Sequence, residues 1–126
     1  MVEVPASLLS LDLAARPESG AEARQALRKT LRSRGADEYL LYSAQIGITE
    51  ALQFLTNNTD TERITIRGQF EGDVLAVTLK AEAKTLTTKP QDDALAGPII
   101  DAVADDITMT LDRRELAITM RFTIAP

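Results

Sequence analysis

The stretch Gly47–Asn58, GITEALQFLTNN, sets a carboxylate, Glu50, one helical turn from Ile46 and one turn from Phe54. Followed upstream, Leu41, Ala44, Ile48, Ala51, Leu52 and Leu55 recur at helical spacing and define a main core face. Asp37 has the side chain of an N-cap, since its carboxylate can accept from the first free N–H groups. The pattern therefore predicts a helix from Asp37 to about Asn57, roughly 20 residues and 30 Å long. A helix of that length spans a small domain, so the remaining elements must pack along it.

On its N-terminal side, Leu9, Leu11 and Leu13 alternate with Ser10 and Asp12, the period of a half-buried strand, and RPESG ends it. Ala23, Ala26, Leu27 and Leu31 predict a first helix over about Ser19–Arg34, closed by a basic last turn and Gly35. On the C-terminal side, Ile64, Ile66 and Phe70 alternate with Thr65, Arg67 and Gln69. After EGD at 71–73, Leu75, Val77, Leu79 and Ala81 alternate with Ala76, Thr78, Lys80 and Glu82, which makes a hairpin. KTLTTKPQDD reads as a loop, and ALAGPIIDAVAD, residues 94–105, as a third helix interrupted by or starting near Pro98. ITMTL and LAITMRFTI read as a last hairpin around DRRE.

The predicted order is β-α-α-β-β-α-β-β. Each strand is apolar on one face only, so one layer of helices suffices. The fold class expected is an α/β (α+β) two-layer sandwich, a mixed, mostly antiparallel sheet with three helices on one face. The other face carries Thr65, Thr78, Thr108, Thr110, Thr119 and Thr123 and is expected to meet water. With 126 residues the chain has room for one core, and residues 1–126 read as a single domain.

Composition excludes several chemistries. Without histidine or cysteine there is no imidazole base for a serine triad, no thiolate nucleophile, and neither imidazole nor thiolate for zinc. No apolar run reaches the length of a membrane span and the N-terminus lacks the pattern of a signal peptide, so a cytoplasmic location and no membrane partner are expected. A net charge of −5 argues against nucleic acid as a partner. The charge is nevertheless uneven. Residues 16–34 hold six bases against two acids, whereas residues 91–106 hold Asp92, Asp93, Asp101, Asp105 and Asp106 with no base. Arg24, Arg28 and Arg32 recur every fourth residue and form a basic face, suited either to solvent or to an acidic partner; with no aromatic interleaved, base stacking is not indicated. The opposite signs of the two regions would also allow a homodimer. The acidic doublets match no calcium loop and are read as caps or solvated groups. Tyr39 and Tyr42 are expected at the edge of the core.

The element order, the ITEAL segment of the long helix and the tail ADDITMTLDRRELAITMRFTI resemble the histidine-kinase-like (GHKL) ATPase superfamily, and in size the bacterial anti-sigma-factor serine kinases. In that family the second helix carries E-x-x-x-N. The glutamate acts on the attacking hydroxyl or water, and the asparagine holds Mg²⁺ on the ATP phosphates. The resemblance places Glu50 at the glutamate and Phe54 at the asparagine. A phenyl ring cannot ligate a hard cation. It also places Ala81 at the adenine-binding aspartate, Ala83 at the glycine that follows, and Ala94 and Ala96 at the later glycine pair. A Cβ at such glycines removes the positive-φ freedom and close approach that phosphate cradling uses.

The resemblance thus implies an ATP-binding-deficient relative with no cofactor and no metal. Glu50 would be a relic, and Phe54 would fill the former nucleotide pocket. Function would lie in protein–protein binding, with a sigma factor or an anti-sigma antagonist as partner and Arg24, Arg28 and Arg32 as contact candidates. Two other readings stand beside it: a divergent ATP-dependent serine protein kinase that uses Glu50, and a dimeric structural subunit.

Overall fold

The computed structural model describes residues 9–16, 18–82 and 103–123. Its elements run β1 (Leu9–Ala14), α1 (Glu18–Ser33), α2 (Glu38–Asn58), β2 (Arg63–Glu71), β3 (Val74–Glu82), β4 (Asp106–Asp112) and β5 (Glu115–Thr123). The five strands form one sheet in the order β1-β2-β3-β5-β4, and every pairing is antiparallel.

Alternation in the strands builds the two layers. Ile64 and Ile66 of β2, Leu75, Val77, Leu79 and Ala81 of β3, and Leu116, Ile118, Met120 and Phe122 of β5 are buried under the helices. Their register is continuous, with Ile64 opposite Ala81 and Ala81 opposite Leu116. From the helices, Ala23, Leu27 and Leu31 of α1 and Leu41, Ala44, Ile48, Ala51 and Leu55 of α2 complete the same core. The opposite sheet face is polar, and the Thr78 and Thr119 hydroxyls are hydrogen-bonded across β3 and β5 at 3.0 Å. Ala76 on that face is nonetheless buried, shielded by its longer cross-strand neighbours Gln69 and Arg121.

Two local devices fold α1 back against α2. Gly35 has φ +76°, its N–H donates to the Arg32 carbonyl, and the Ala36 N–H donates to the Leu31 carbonyl, each at 3.1 Å. This is the Schellman termination, which an L side chain at position 35 would strain. Two residues later the Asp37 carboxylate accepts from the Leu40 N–H at 2.8 Å and caps α2, as its place in the sequence suggested. The EGD turn also forms, with Gly72 at φ +66° between Glu71 and Val74, which pair.

The described residues differ from the expected layout in two respects. They contain two helices rather than three, so the order is β-α-α-β-β-β-β, and their sheet is antiparallel throughout instead of mixed. Antiparallel pairing follows because β2–β3 and β4–β5 are tight hairpins and the register sets β5 beside β3 in the reversed direction. The stretch expected to form the third helix, residues 94–105, lies outside the described residues except at 103–105. There Val103 and Ala104 are partly buried against the core before the chain enters β4.

Candidate functional site

The four-residue recurrence of Arg24, Arg28 and Arg32 puts all three guanidiniums on the flank of α1 that faces α2. Because the two helices run antiparallel after the Gly35 reversal, each arginine meets an earlier turn of α2 than the last. Arg24 Nη1 donates to Thr49 Oγ1 at 3.2 Å, and Arg28 Nη2 donates to Gln45 Oε1 at 3.0 Å. Arg32 Nη2 stands 3.8 Å from Glu38 Oε1, an exposed pair that contributes little. The acceptors are themselves aligned by α2, since the Thr49 hydroxyl donates to the Gln45 carbonyl and Gln45 Nε2 to the Leu41 carbonyl.

Between these polar contacts the helices leave a groove of about 570 Å³. The arginines form one wall; Tyr42, Gln45, Ile46, Thr49 and Glu50 form the other. The tertiary structure thus joins two sets of residues that the sequence presented separately, Glu50 and the arginine stripe. Glu50 is half-buried at this groove.

Tyr39 and Tyr42 correct an expectation. They are not at the core edge but 70% and 66% exposed. At the first turns of α2, Leu40 and Leu41 take the buried positions, which leaves Tyr39 and Tyr42, three residues apart, to point away. The signal was available in the phase of the helix, because Leu41, Ala44 and Ile48 already fix the side that faces the core.

Further along α2, Phe54 is buried in the main core cluster at 8% exposure. Ala81 is completely buried near the end of the central strand β3, with Ile64 and Leu116 as its cross-strand neighbours. Ala83, Ala94 and Ala96 lie outside the described residues.

No protein-family model matches the chain, and no curated protein matches it. Among solved structures, the RsbU and RsbW domains of Rv1364c from Mycobacterium tuberculosis match with a TM-score of 0.72 and 15% sequence identity. The match covers 94% of this chain and 33% of that one. The chain shares its fold with part of that structure. The likeness concerns the fold, and the chain spans about a third of its neighbour's length.

Within this fold, the remaining candidate residues have structural employment. Asp105 Oδ2 accepts from the Thr123 N–H, and Asp106 Oδ2 lies 3.4 Å from Arg121 Nη1, so this doublet anchors the start of β4 to β5. Asp92 and Asp93 are outside the described residues. Among the described residues, no cluster of three or more acidic side chains is arranged to hold a metal ion, and no helix is long and apolar enough to cross a membrane.

Proposed function

We propose that this chain is an anti-sigma-like regulatory domain that acts by binding another protein and does not bind ATP. The observation that carries the reading is the burial of Phe54. At the helix position where the family resemblance expects a magnesium-holding asparagine, a phenyl ring is packed into the core. Ala81 supports it: a methyl group enclosed in the sheet offers no hydrogen-bond acceptor to an adenine amino group. With metal ligand and adenine anchor replaced by apolar groups, the surface that remains chemically distinctive is the arginine-lined groove. A sigma factor, or an antagonist of an anti-sigma factor, is the partner class in keeping with the resemblance and with the RsbW-containing neighbour.

Titration calorimetry with ATP and ADP, with and without Mg²⁺, tests the reading. No heat, together with no thermal shift at millimolar nucleotide, is the expected result. Saturable, metal-dependent binding would overturn it and favour a divergent serine protein kinase, a reading that draws on the accessibility of Glu50 at the groove.

A further inference from the structure

We infer that the groove between α1 and α2 is the docking site for an acidic amphipathic segment of a partner protein, seated between the arginines of α1 and the exposed tyrosine face of α2. This rests on the protein-binding reading above and names the surface and the chemistry of what binds there.

Charge is the first argument. Arg24 and Arg28 are hydrogen-bonded to the neutral acceptors Thr49 and Gln45, and among the described residues neither forms an ion pair. Each guanidinium has five N–H donors, of which these contacts use one, so donors remain for a carboxylate. Arg32 is held only at 3.8 Å by a Glu38 side chain that is itself 85% exposed, a contact a better-placed carboxylate could replace. Glu50 carries the opposite charge at the same groove, which defines the polarity an incoming segment must respect. In a chain of net charge −5, a row of three arginines whose one carboxylate contact is the exposed Arg32–Glu38 pair is a local reversal of sign that would steer an acidic partner to this place.

Spacing is the second. The arginines recur every four residues, about 6 Å apart along the helix axis. Carboxylates at i and i+4 of a helix laid in the groove have the same separation, so a segment of about two turns could meet the row. Apolar character is the third. Tyr42 and Ile46 supply surface for an apolar side chain next to the charges, and Tyr39 extends it beyond the groove. Exposed tyrosine beside arginine is the composition enriched where protein interfaces concentrate their binding energy.

The test uses the full chain and a fluorescein-labelled helical 16-residue peptide with glutamates at i, i+4 and i+8 and leucines on the adjacent flank. Fluorescence anisotropy would follow binding to the wild type, Arg28→Glu and Tyr42→Ala, whose positions are exposed and whose folding is checked by circular dichroism. Saturable binding is expected, weakened about tenfold or more by Arg28→Glu, weakened by Tyr42→Ala and by added salt, and absent for the peptide with lysines in place of glutamates. Equal affinity of wild type and Arg28→Glu, or equal binding of the lysine peptide, would overturn the proposal. So would full displacement by inorganic tripolyphosphate alone with Tyr42→Ala unaffected, which would mark a phosphate site. A concentration-dependent dimer of the wild type that Arg28→Glu dissociates would assign the groove to a second copy of the chain. Nucleotide calorimetry is independent of all these outcomes, so the ATP-deficient reading and the groove can fail separately.

Discussion

Gly47 of α2 rests directly on Phe122 of β5: a Cβ at position 47 would stand 2.9 Å from Cζ of that ring and 3.0 Å from Sδ of Met120. The close approach brings helix backbone down onto the sheet at the centre of the core. Gly47→Ala gains up to about 1 kcal/mol in helix propensity. It also forces two buried side chains aside, an overpacking cost of about 1–3 kcal/mol. Net destabilisation of about 1 kcal/mol is expected, read in urea as a lower midpoint with unchanged slope. A more stable Gly47→Ala would show that the ring and the thioether yield without strain.

Phe54 is buried in the main core cluster. Phe54→Ala is expected to cost about 3–5 kcal/mol, from lost transfer energy and the cavity left behind. Thermal or urea unfolding measures it directly. An unchanged midpoint would remove Phe54 from the core and with it the main support for the ATP-deficient reading.

The Asp37 carboxylate satisfies one of the free N–H groups at the start of α2. Asp37→Ala should destabilise by about 1 kcal/mol, and Asp37→Ser should restore most of that loss because a hydroxyl accepts in the same place. Equal stability of wild type and Asp37→Ala in a urea titration would mean that water replaces the cap without cost.

Glu50 is half-buried at the groove and makes no tertiary hydrogen bond or ion pair among the described residues. Glu50→Gln should therefore alter stability by no more than about 0.5 kcal/mol. It should also leave phosphate release in the presence of ATP and Mg²⁺ at the uncatalysed background. Phosphotransfer by the wild type that disappears in Glu50→Gln would count decisively for the kinase reading.

Much of the architecture was legible in the chain because it rests on local rules. The period-2 alternation of Ile64–Phe70, Leu75–Ala81 and Leu116–Phe122 decides which face of each strand is buried, and each of these strands forms. Gly35 and Asp37 mark the end of one helix and the start of the next through backbone hydrogen bonds that involve only near neighbours. The core face of α2, from Leu41 to Leu55, was equally readable from spacing. The tyrosines were misread because residue type was given more weight than the phase of the helix, which turns Tyr39 and Tyr42 outward while Leu40 and Leu41 turn in.

By itself, then, the sequence determined the local conformations, the buried faces, the caps and the exclusion of histidine and cysteine chemistry, all of which depend on residues a few positions apart. Only the tertiary structure decided that β5 lies between β3 and β4, that Gly47 meets Phe122, and that Arg24, Arg28 and Arg32 share a groove with Tyr42 and Glu50. The physical reason is that these relationships join groups on different elements, such as Arg28 and Gln45, 17 residues apart in the chain. Their partners are selected by how two helices and a sheet close over one core, and no local pattern encodes that choice.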